Sequence, residues 1–190
     1  MVSAIIMASG LSRRMQGINK LLLPLPDGQA LIEKTIFALR EVQSVGEILL
    51  ITGHEGVAEI GAEHGLRVVD NPHPEHGICE SIRLGAEHAS GDWLMYLTGD
   101  QPFLDADTIE TLIRAAKPGG IMRACSGGVP GSPVLFDKKF RGELMALSGD
   151  TGGKEVIERH PEALIEVEIK RRAALQDIDT PEAYRALFGR

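Results

Sequence analysis

The loop that follows the first apolar run of the chain has residue types suited to binding phosphate. Within residues 8–20, Gly10 and Gly17 let the backbone approach a ligand closely, and Arg14 and Lys20 add positive charge. Successive backbone N–H groups in such a loop can cradle phosphate oxygens. In a chain of net charge −7, this composition favours a triphosphate site over the alternative, a solvated loop whose arginines serve solubility.

Three common catalytic or nucleotide-binding motifs are missing from the sequence. The loop lacks the Gly-x-x-x-x-Gly-Lys-Ser/Thr pattern of P-loops, and no Gly-x-Gly-x-x-Gly follows the first strand, so dinucleotide binding loses its main support. No Gly-x-Ser-x-Gly elbow occurs, which disfavours Ser/His/Asp hydrolysis.

Asp100 is the first candidate metal ligand, because it follows an apolar run that reads as a central strand. Mg²⁺ is commonly held by one or two carboxylates together with water and substrate phosphates. The alternative is that residues 99–103 simply form a turn, where Asp and Pro are common.

Asp177 and Asp179 form a second acidic pair near the end of the sequence. Alternate residues of an extended segment point the same way, so both carboxylates could face one metal ion. The alternative is that Asp179 helps Thr180 to cap the last helix while Asp177 is solvated.

His73, His76 and Cys79 have the spacing of metal ligands, and Glu75 and Glu80 lie beside them in the sequence. A structural zinc site usually requires four ligands held in register. We therefore interpret this stretch as a polar surface loop and not as a zinc site.

Apolar runs alternate with amphipathic stretches along the chain. The runs predict strands at residues 2–8, 47–52, 66–69, 92–98, 120–124, 133–136 and 163–169. The periodicity and start signals predict helices at residues 30–42, 81–88, 105–116 and 181–188, with Asp105 and Thr180 as N-caps.

This alternation predicts an α/β fold, a Rossmann-like three-layer sandwich with a mostly parallel central sheet, as one domain over residues 1–190. Ligands of such sheets bind at the carboxyl ends of the strands. The loops after residues 8, 52, 70, 98 and 124 are therefore the candidate site.

The first loop resembles the Leu-Ala-Ala-Gly-x-Ser-x-Arg-Met-Gly-x-x-Lys signature of the nucleotidyltransferases that act on molybdenum cofactor. Gln16 is one extra residue within it. The matching positions are Gly10, Ser12, Arg14, Met15, Gly17 and Lys20.

Other segments extend the resemblance over most of the chain. Residues 100–103 resemble the Asp-Gln-Pro-Phe motif of cytidylyl-transferring members, with Gly99 where a Cys usually stands, and residues 177–182 resemble the family's Asp-Ile-Asp-Thr-Pro-Glu. The resemblance implies further nucleotide contacts at Thr52, Gly53, Asn71 and Ser81. It also implies an acceptor side formed by Gly131, Pro133, Gly149 and Asp150.

The resemblance implies Mg²⁺-dependent transfer of a nucleoside monophosphate onto a phosphorylated acceptor. Arg14, Lys20 and Asp100 would be catalytic, and Asp100, with Asp179 as second candidate, would hold the metal ion. The loop residues expected to contact the nucleotide, besides Arg14 and Lys20, are Ala8, Ser9, Gly10, Leu11 and Ser12.

The side chain of Ser9 stands where guanylyl-transferring relatives usually have Gly and cytidylyl-transferring relatives have Ala. A side chain leaves less space for a purine, which favours CTP as donor. The resemblance then implies molybdopterin or its molybdenum form as acceptor, and a handover of the product to a molybdoenzyme.

Three alternatives remain open at this point. The first keeps the chemistry but uses GTP or another acceptor, such as a sugar or alcohol phosphate. The second is a noncatalytic nucleotide sensor or cofactor chaperone, which intact Lys20 and Asp100 disfavour. A dehydrogenase is a distant third.

The overall composition is that of an ordinary globular protein, with 43% hydrophobic and 25% charged residues. The acidic balance argues against nucleic acid as a partner. Cys79 and Cys125 are too few for a disulfide scaffold. The first apolar run is too short for a signal or membrane segment, so we expect a cytoplasmic protein without a membrane partner.

Overall fold

The computed structural model describes residues 1–12, 15, 18–149 and 151–189. These residues form a seven-stranded sheet in the order β3-β2-β1-β4-β6-β5-β7. The strands are β1 Val2–Met7, β2 Val45–Thr52, β3 Arg67–Asp70, β4 Trp93–Thr98, β5 Ile121–Ser126, β6 Val129–Asp137 and β7 Leu164–Glu168.

Helices cover both faces of this sheet, as the prediction of a three-layer sandwich requires. In the described part of the chain they are α1 Leu31–Arg40, α2 Glu55–Glu63, α3 Ile78–His88, α4 Ala106–Arg114, α5 Arg141–Met145, α6 Gly153–Arg159 and α7 Pro181–Phe188. None of them combines the length and the apolar character needed to cross a bilayer.

Alternation along the strands divides the core between the two faces. In β1, Ala4 and Ile6 pack in the cluster that contains α1, α2 and α4. Ile5, between them, packs in the cluster that contains α3, α5 and α6. A strand that is buried on both faces has a continuous run of apolar residues, and this run predicted β1 from the sequence.

The sheet is mostly parallel, and β6 is the exception. It runs antiparallel to both β4 and β5. The sequence predicted only the buried half of this strand, at residues 133–136, because its first residues, including Val129 and Pro130, are exposed.

The predicted N-caps are confirmed. The Asp105 carboxylate accepts a hydrogen bond from Thr108 N at 2.9 Å at the start of α4. The Thr180 hydroxyl accepts one from Ala183 N at 3.1 Å at the start of α7, with Pro181 in the first helical position. The sequence did not predict α2, α5 and α6, none of which begins with a side-chain N-cap hydrogen bond.

The register of the sheet brings three loops to one edge. Met7 pairs with both Ile51 and Thr98, so β1, β2 and β4 end side by side. The glycine-containing loop, the turn at residues 53–54 and the loop that carries Asp100 therefore emerge together, where ligands of parallel sheets bind.

Candidate active site

A cleft of about 810 Å³ opens at this edge of the sheet. Its size is within the usual range for small-molecule sites. Its walls come from the loop after β1, the turn before α3, the end of β4 and the segment before α7. Predicted site residues that line it are Ala8, Ser9, Gly10, Leu11, Ser12, Lys20, Ser81, Asp100, Gly149 and Asp179.

The end of β2 fixes the start of the glycine-containing loop. Thr52 Oγ1 donates to the Ala8 carbonyl at 3.1 Å, and Ser9 Oγ donates to the Ile51 carbonyl at 3.2 Å. Further on, Ser12 adopts φ 45°, a left-handed conformation that turns the chain sharply. The start of the loop is therefore held against the end of β2 by two side-chain hydrogen bonds.

Lys20 lies at the floor of the cleft and joins two of the predicted metal ligands. Its ammonium group donates to Asp100 Oδ2 and, at 2.8 Å, to Asp179 Oδ1. The 3₁₀ turn Lys20–Leu22, capped by the Asn19 side chain, fixes the Lys20 backbone. Burial lowers the pKa of Lys20, but attraction and hydrogen bonds from the two aspartates outweigh this and raise it.

The segment before α7 is fastened to the loop after β4. Ile178 N donates to the Asp100 carbonyl at 3.0 Å, and the Ile178 side chain is fully buried against Leu25 and Leu31. With Ile178 turned inward, Asp179 reaches Lys20. Asp179 lines the cleft, whereas Asp177, the other member of the predicted pair, is not among the described residues that line it.

Asp177 adds to the negative charge at this point. Desolvation, followed by the charges of Asp100 and Asp179, raises the pKa of Asp177 to about 6. A hydrogen bond with Gln101 acts in the opposite direction.

The residues at this point fit a hard divalent cation. Asp100 Oδ1 is buried and has no hydrogen-bond partner among the described residues. A buried carboxylate oxygen without a partner is costly, and a cation coordinated to it removes that cost. Asp100 Oδ1 is therefore suited to a cation, and Asp179 lies nearby, because both carboxylates contact the Lys20 ammonium group.

Three predicted nucleotide contacts lie behind the wall of the cleft. Thr52 supports the first loop, as described above. The Asn71 amide donates to Ser81 Oγ at 3.3 Å, and its oxygen accepts from His73 N at 3.0 Å. A Cβ on Gly53 would come within 2.5 Å of the Asn71 carbonyl, so Gly53 permits close packing of these two loops.

The four residues predicted to form the acceptor side do not lie in one place. Gly149 lines the main cleft. Gly131 instead lines a second cleft of about 560 Å³, between β6 and residues 172–176, and Pro133 follows it along β6. Asp150 lies outside the described residues, as does the predicted catalytic Arg14.

Sequence reasoning missed several residues of the cleft. Glu75 and His76 line it from the turn before α3, and Thr98 lines it from the end of β4. The signal for Thr98 was its place as the last residue of a parallel strand. Gly99, where relatives usually have Cys, packs tightly, since a Cβ there would lie 3.3 Å from Leu21 and Ile32.

Comparison with known proteins agrees with this geometry. Residues 4–164 match the family described as MobA-like NTP transferase domain. The chain is 30% identical over 195 residues to the molybdenum cofactor guanylyltransferase of Mesorhizobium japonicum, covering 95% of this chain and 91% of that protein. It is 29% identical over 196 residues to the purine catabolism protein PucB of Bacillus subtilis, covering 95% and 92%.

Solved structures share the fold. A nucleotidyl transferase from Methanothermobacter thermautotroptrophicus superposes with a TM-score of 0.87 at 24% identity, covering 99% of this chain and 96% of that chain. The predicted mostly parallel Rossmann-like fold is thereby confirmed.

Proposed function

Because this chain belongs to the family of MobA-like NTP transferase domains and is a nucleotidyltransferase, we propose that it transfers CMP from CTP onto molybdopterin or its molybdenum form. An acceptor phosphate oxygen attacks the α-phosphorus, and the bond to pyrophosphate breaks. The observation that carries this proposal is the pairing of Lys20 with Asp100 and Asp179 beside the glycine-containing loop.

The chain needs no general base for this reaction, because a phosphate oxygen is already an anion at neutral pH. Its residues therefore position the substrates and offset charge. Backbone N–H groups of residues 10–12 are suited to holding the β- and γ-phosphates. Lys20, with Arg14 as the second proposed cation, would stabilise the charge that develops on pyrophosphate.

Asp100, and Asp179 as the second ligand, would hold Mg²⁺ in this proposal. The ion would supply charge neutralisation at the phosphates of the donor. Support comes from the unpartnered Oδ1 of Asp100 and from the concentration of carboxylates around it.

The choice of CTP rests mainly on the likeness of residues 100–103 to the cytidylyl-transferring motif. The size of Ser9 now gives little support, because its hydroxyl bonds to the Ile51 carbonyl and so faces β2. GTP is the second candidate. It is favoured by the relatives at 29–31% identity that are named molybdenum cofactor guanylyltransferases.

The test is pyrophosphate release with CTP, GTP, ATP or UTP, each with Mg²⁺ and molybdopterin. Asp100→Asn keeps the shape of the side chain but removes its charge, and we expect it to abolish release. Asp107→Asn, on the exposed surface of α4, is the matched control and should leave release unchanged.

The outcomes separate the candidate functions. Release with CTP alone supports the cytidylyl assignment, and release with GTP alone replaces it by guanylyl transfer. Release that appears only with a sugar or alcohol phosphate reassigns the acceptor. Nucleotide binding without release for any acceptor would favour a noncatalytic carrier.

A further inference from the structure

Three exposed side chains converge on the turn between β3 and α3, apart from the Lys20–Asp100 pair. His73 Nδ1 lies 3.2 Å from Glu75 Oε1, and His76 Nε2 lies 3.9 Å from the same oxygen. The three ligand atoms lie within 4.8 Å of one another. We propose that His73, Glu75 and His76 bind one late first-row divalent cation of the zinc class.

The separations between these atoms suit a single ion. Zinc–nitrogen and zinc–oxygen bonds of about 2.0–2.2 Å place the ligands of a tetrahedral ion roughly 3.4 Å apart. The two distances to Glu75 lie on either side of this value. Small rotations of exposed side chains close the remaining gap.

The two imidazoles lie next to each other but must reorient to share an ion. Their rings are stacked and nearly parallel, at 16°, with centroids 4.8 Å apart. An ion bound to an imidazole nitrogen lies in the plane of that ring, so two stacked rings do not ligate one ion without rotation. Because both side chains are exposed, rotation about their side-chain torsions brings one nitrogen of each ring to a shared ion.

Neighbouring residues hold the ligands in place. The Asn71 side chain accepts the backbone N–H of His73 at 3.0 Å, and Pro74 opens the 3₁₀ turn that carries Glu75 and His76. The other ring nitrogen of His76 faces Glu80 Oε2 at 3.9 Å. This distance is too long for a hydrogen bond, and the same Glu80 oxygen accepts one from Arg83 at 2.7 Å.

Cys79, the third member of the spacing seen in the sequence, is not part of this set. Its thiol is buried and directed at the carbonyls of His76 and Gly149, at 3.2 and 3.0 Å. Glu75 takes the place of Cys79, so the set still has three protein ligands. The interpretation of this stretch as a polar surface loop rested on the four ligands of a structural zinc site, and a site with one open position needs only three from the protein.

Three protein ligands leave one position of a tetrahedral ion open. Because Glu75 and His76 line the same cleft as Lys20 and Asp100, that position is accessible to water or to an anionic group bound in the cleft. Imidazoles select zinc-class ions, while carboxylates around Asp100 select Mg²⁺. This inference does not depend on the proposed donor or acceptor.

The test is titration of metal-stripped protein with Co²⁺, in excess Mg²⁺ to occupy the carboxylates around Asp100. Visible d–d absorption reports nitrogen ligation, and competition by Zn²⁺ reports the affinity for zinc. We expect one Co²⁺ site per chain. His73→Ala and His76→Ala should each lower the affinity for Co²⁺ by at least about tenfold, and Glu75→Gln should lower it measurably.

Two variants serve as controls. His88→Ala removes a histidine distant from the cluster and should leave the titration unchanged, as should Cys79→Ser. Loss of binding in Cys79→Ser but not in Glu75→Gln would overturn the assigned ligand set. A titration without saturable absorption, or one that is insensitive to the His73 and His76 substitutions, would overturn the site itself.

Discussion

Lys20 occupies the position of a cation between two carboxylates, and this has a consequence for metal binding. In the proposed metal site, its ammonium group and a divalent ion would compete for Asp100 and Asp179. We expect Lys20→Met to bind Mn²⁺, as a spectroscopic substitute for Mg²⁺, more tightly than the wild type when no nucleotide is present. Electron paramagnetic resonance titration measures this, with Lys34→Met as the surface control. Equal affinities would contradict the competition.

The same substitution should damage catalysis. If Lys20 meets the charge that develops on pyrophosphate, its removal costs about 10²–10³ in rate, by analogy with loss of one electrostatic donor. Single-turnover kinetics at saturating nucleotide measure this step. A Lys20→Met enzyme whose rate stays within a few-fold of wild type would assign Lys20 a structural role only.

Glu47 provides a pH-dependent contribution to stability. Desolvation raises the pKa of Glu47. Hydrogen bonds from Ser3 and Ser90 and the charge of Arg67 lower it by more than desolvation raises it, so the net shift of the pKa is downward. A depressed folded-state pKa stabilises the protein above the ordinary carboxyl pKa and loses this effect as pH falls through the folded value.

We therefore expect Glu47→Gln to lower the free energy of unfolding by about 1 kcal/mol at pH 7. The difference from wild type should shrink as the pH is lowered below the ordinary glutamate range. Urea denaturation at several pH values measures it. Glu63→Gln, on the exposed side of α2, is the control. A difference that stays constant with pH would argue against the ionised form of Glu47 as the cause.

Among the elements, α3 is the one whose position matters most to the cleft, and Arg141 secures its far end. The guanidinium of Arg141 donates to the carbonyls of Ala86 and Ala89, both at 2.5 Å, and of Gly91 at 3.1 Å. These acceptors include the otherwise unpaired carbonyls at a helix C-terminus. Arg141 thus joins the start of α5 to the end of α3.

Arg141→Met should destabilise the fold by about 2–3 kcal/mol, because it removes charge-assisted hydrogen bonds to partly buried carbonyls. Arg141→Lys should restore only part of this, since one ammonium group cannot match the planar fork. Chemical denaturation measures both. An unchanged midpoint in Arg141→Met would show that solvent replaces the guanidinium at no cost.

At the scale of the whole molecule, the Mg²⁺ ion proposed at Asp100 and Asp179 would link the segment before α7 to the central sheet. Mg²⁺ together with nucleotide should stabilise the protein by about 2.7 kcal/mol at a ligand concentration about 100 times Kd. For a chain of this length that is roughly 5–10 °C in Tm. EDTA should remove most of the increase, and so should Asp100→Asn. A thermal shift with nucleotide that EDTA leaves intact would exclude Asp100 as an anchor for the metal.

The sequence by itself determined the layers of the fold and the main loop of the site. Buried parallel strands and amphipathic helices have local patterns of apolar residues. The sequence therefore predicted β1, β2, β4, α1 and α4 without any knowledge of tertiary contacts. The glycine-containing loop and Asp100 could be found because each directly follows such a strand. The resemblance that identified the family consists of motifs in these same loops.

Only the tertiary structure decided which side chains meet. The contact of Lys20 with Asp179 spans 159 positions of sequence. The antiparallel placement of β6, the orientation of Ser9 toward β2 and the contact of the Cys79 thiol with the Gly149 carbonyl are likewise absent from any local pattern. Periodicity reports which face of an element is buried, whereas distances between side chains depend on how all the elements pack together.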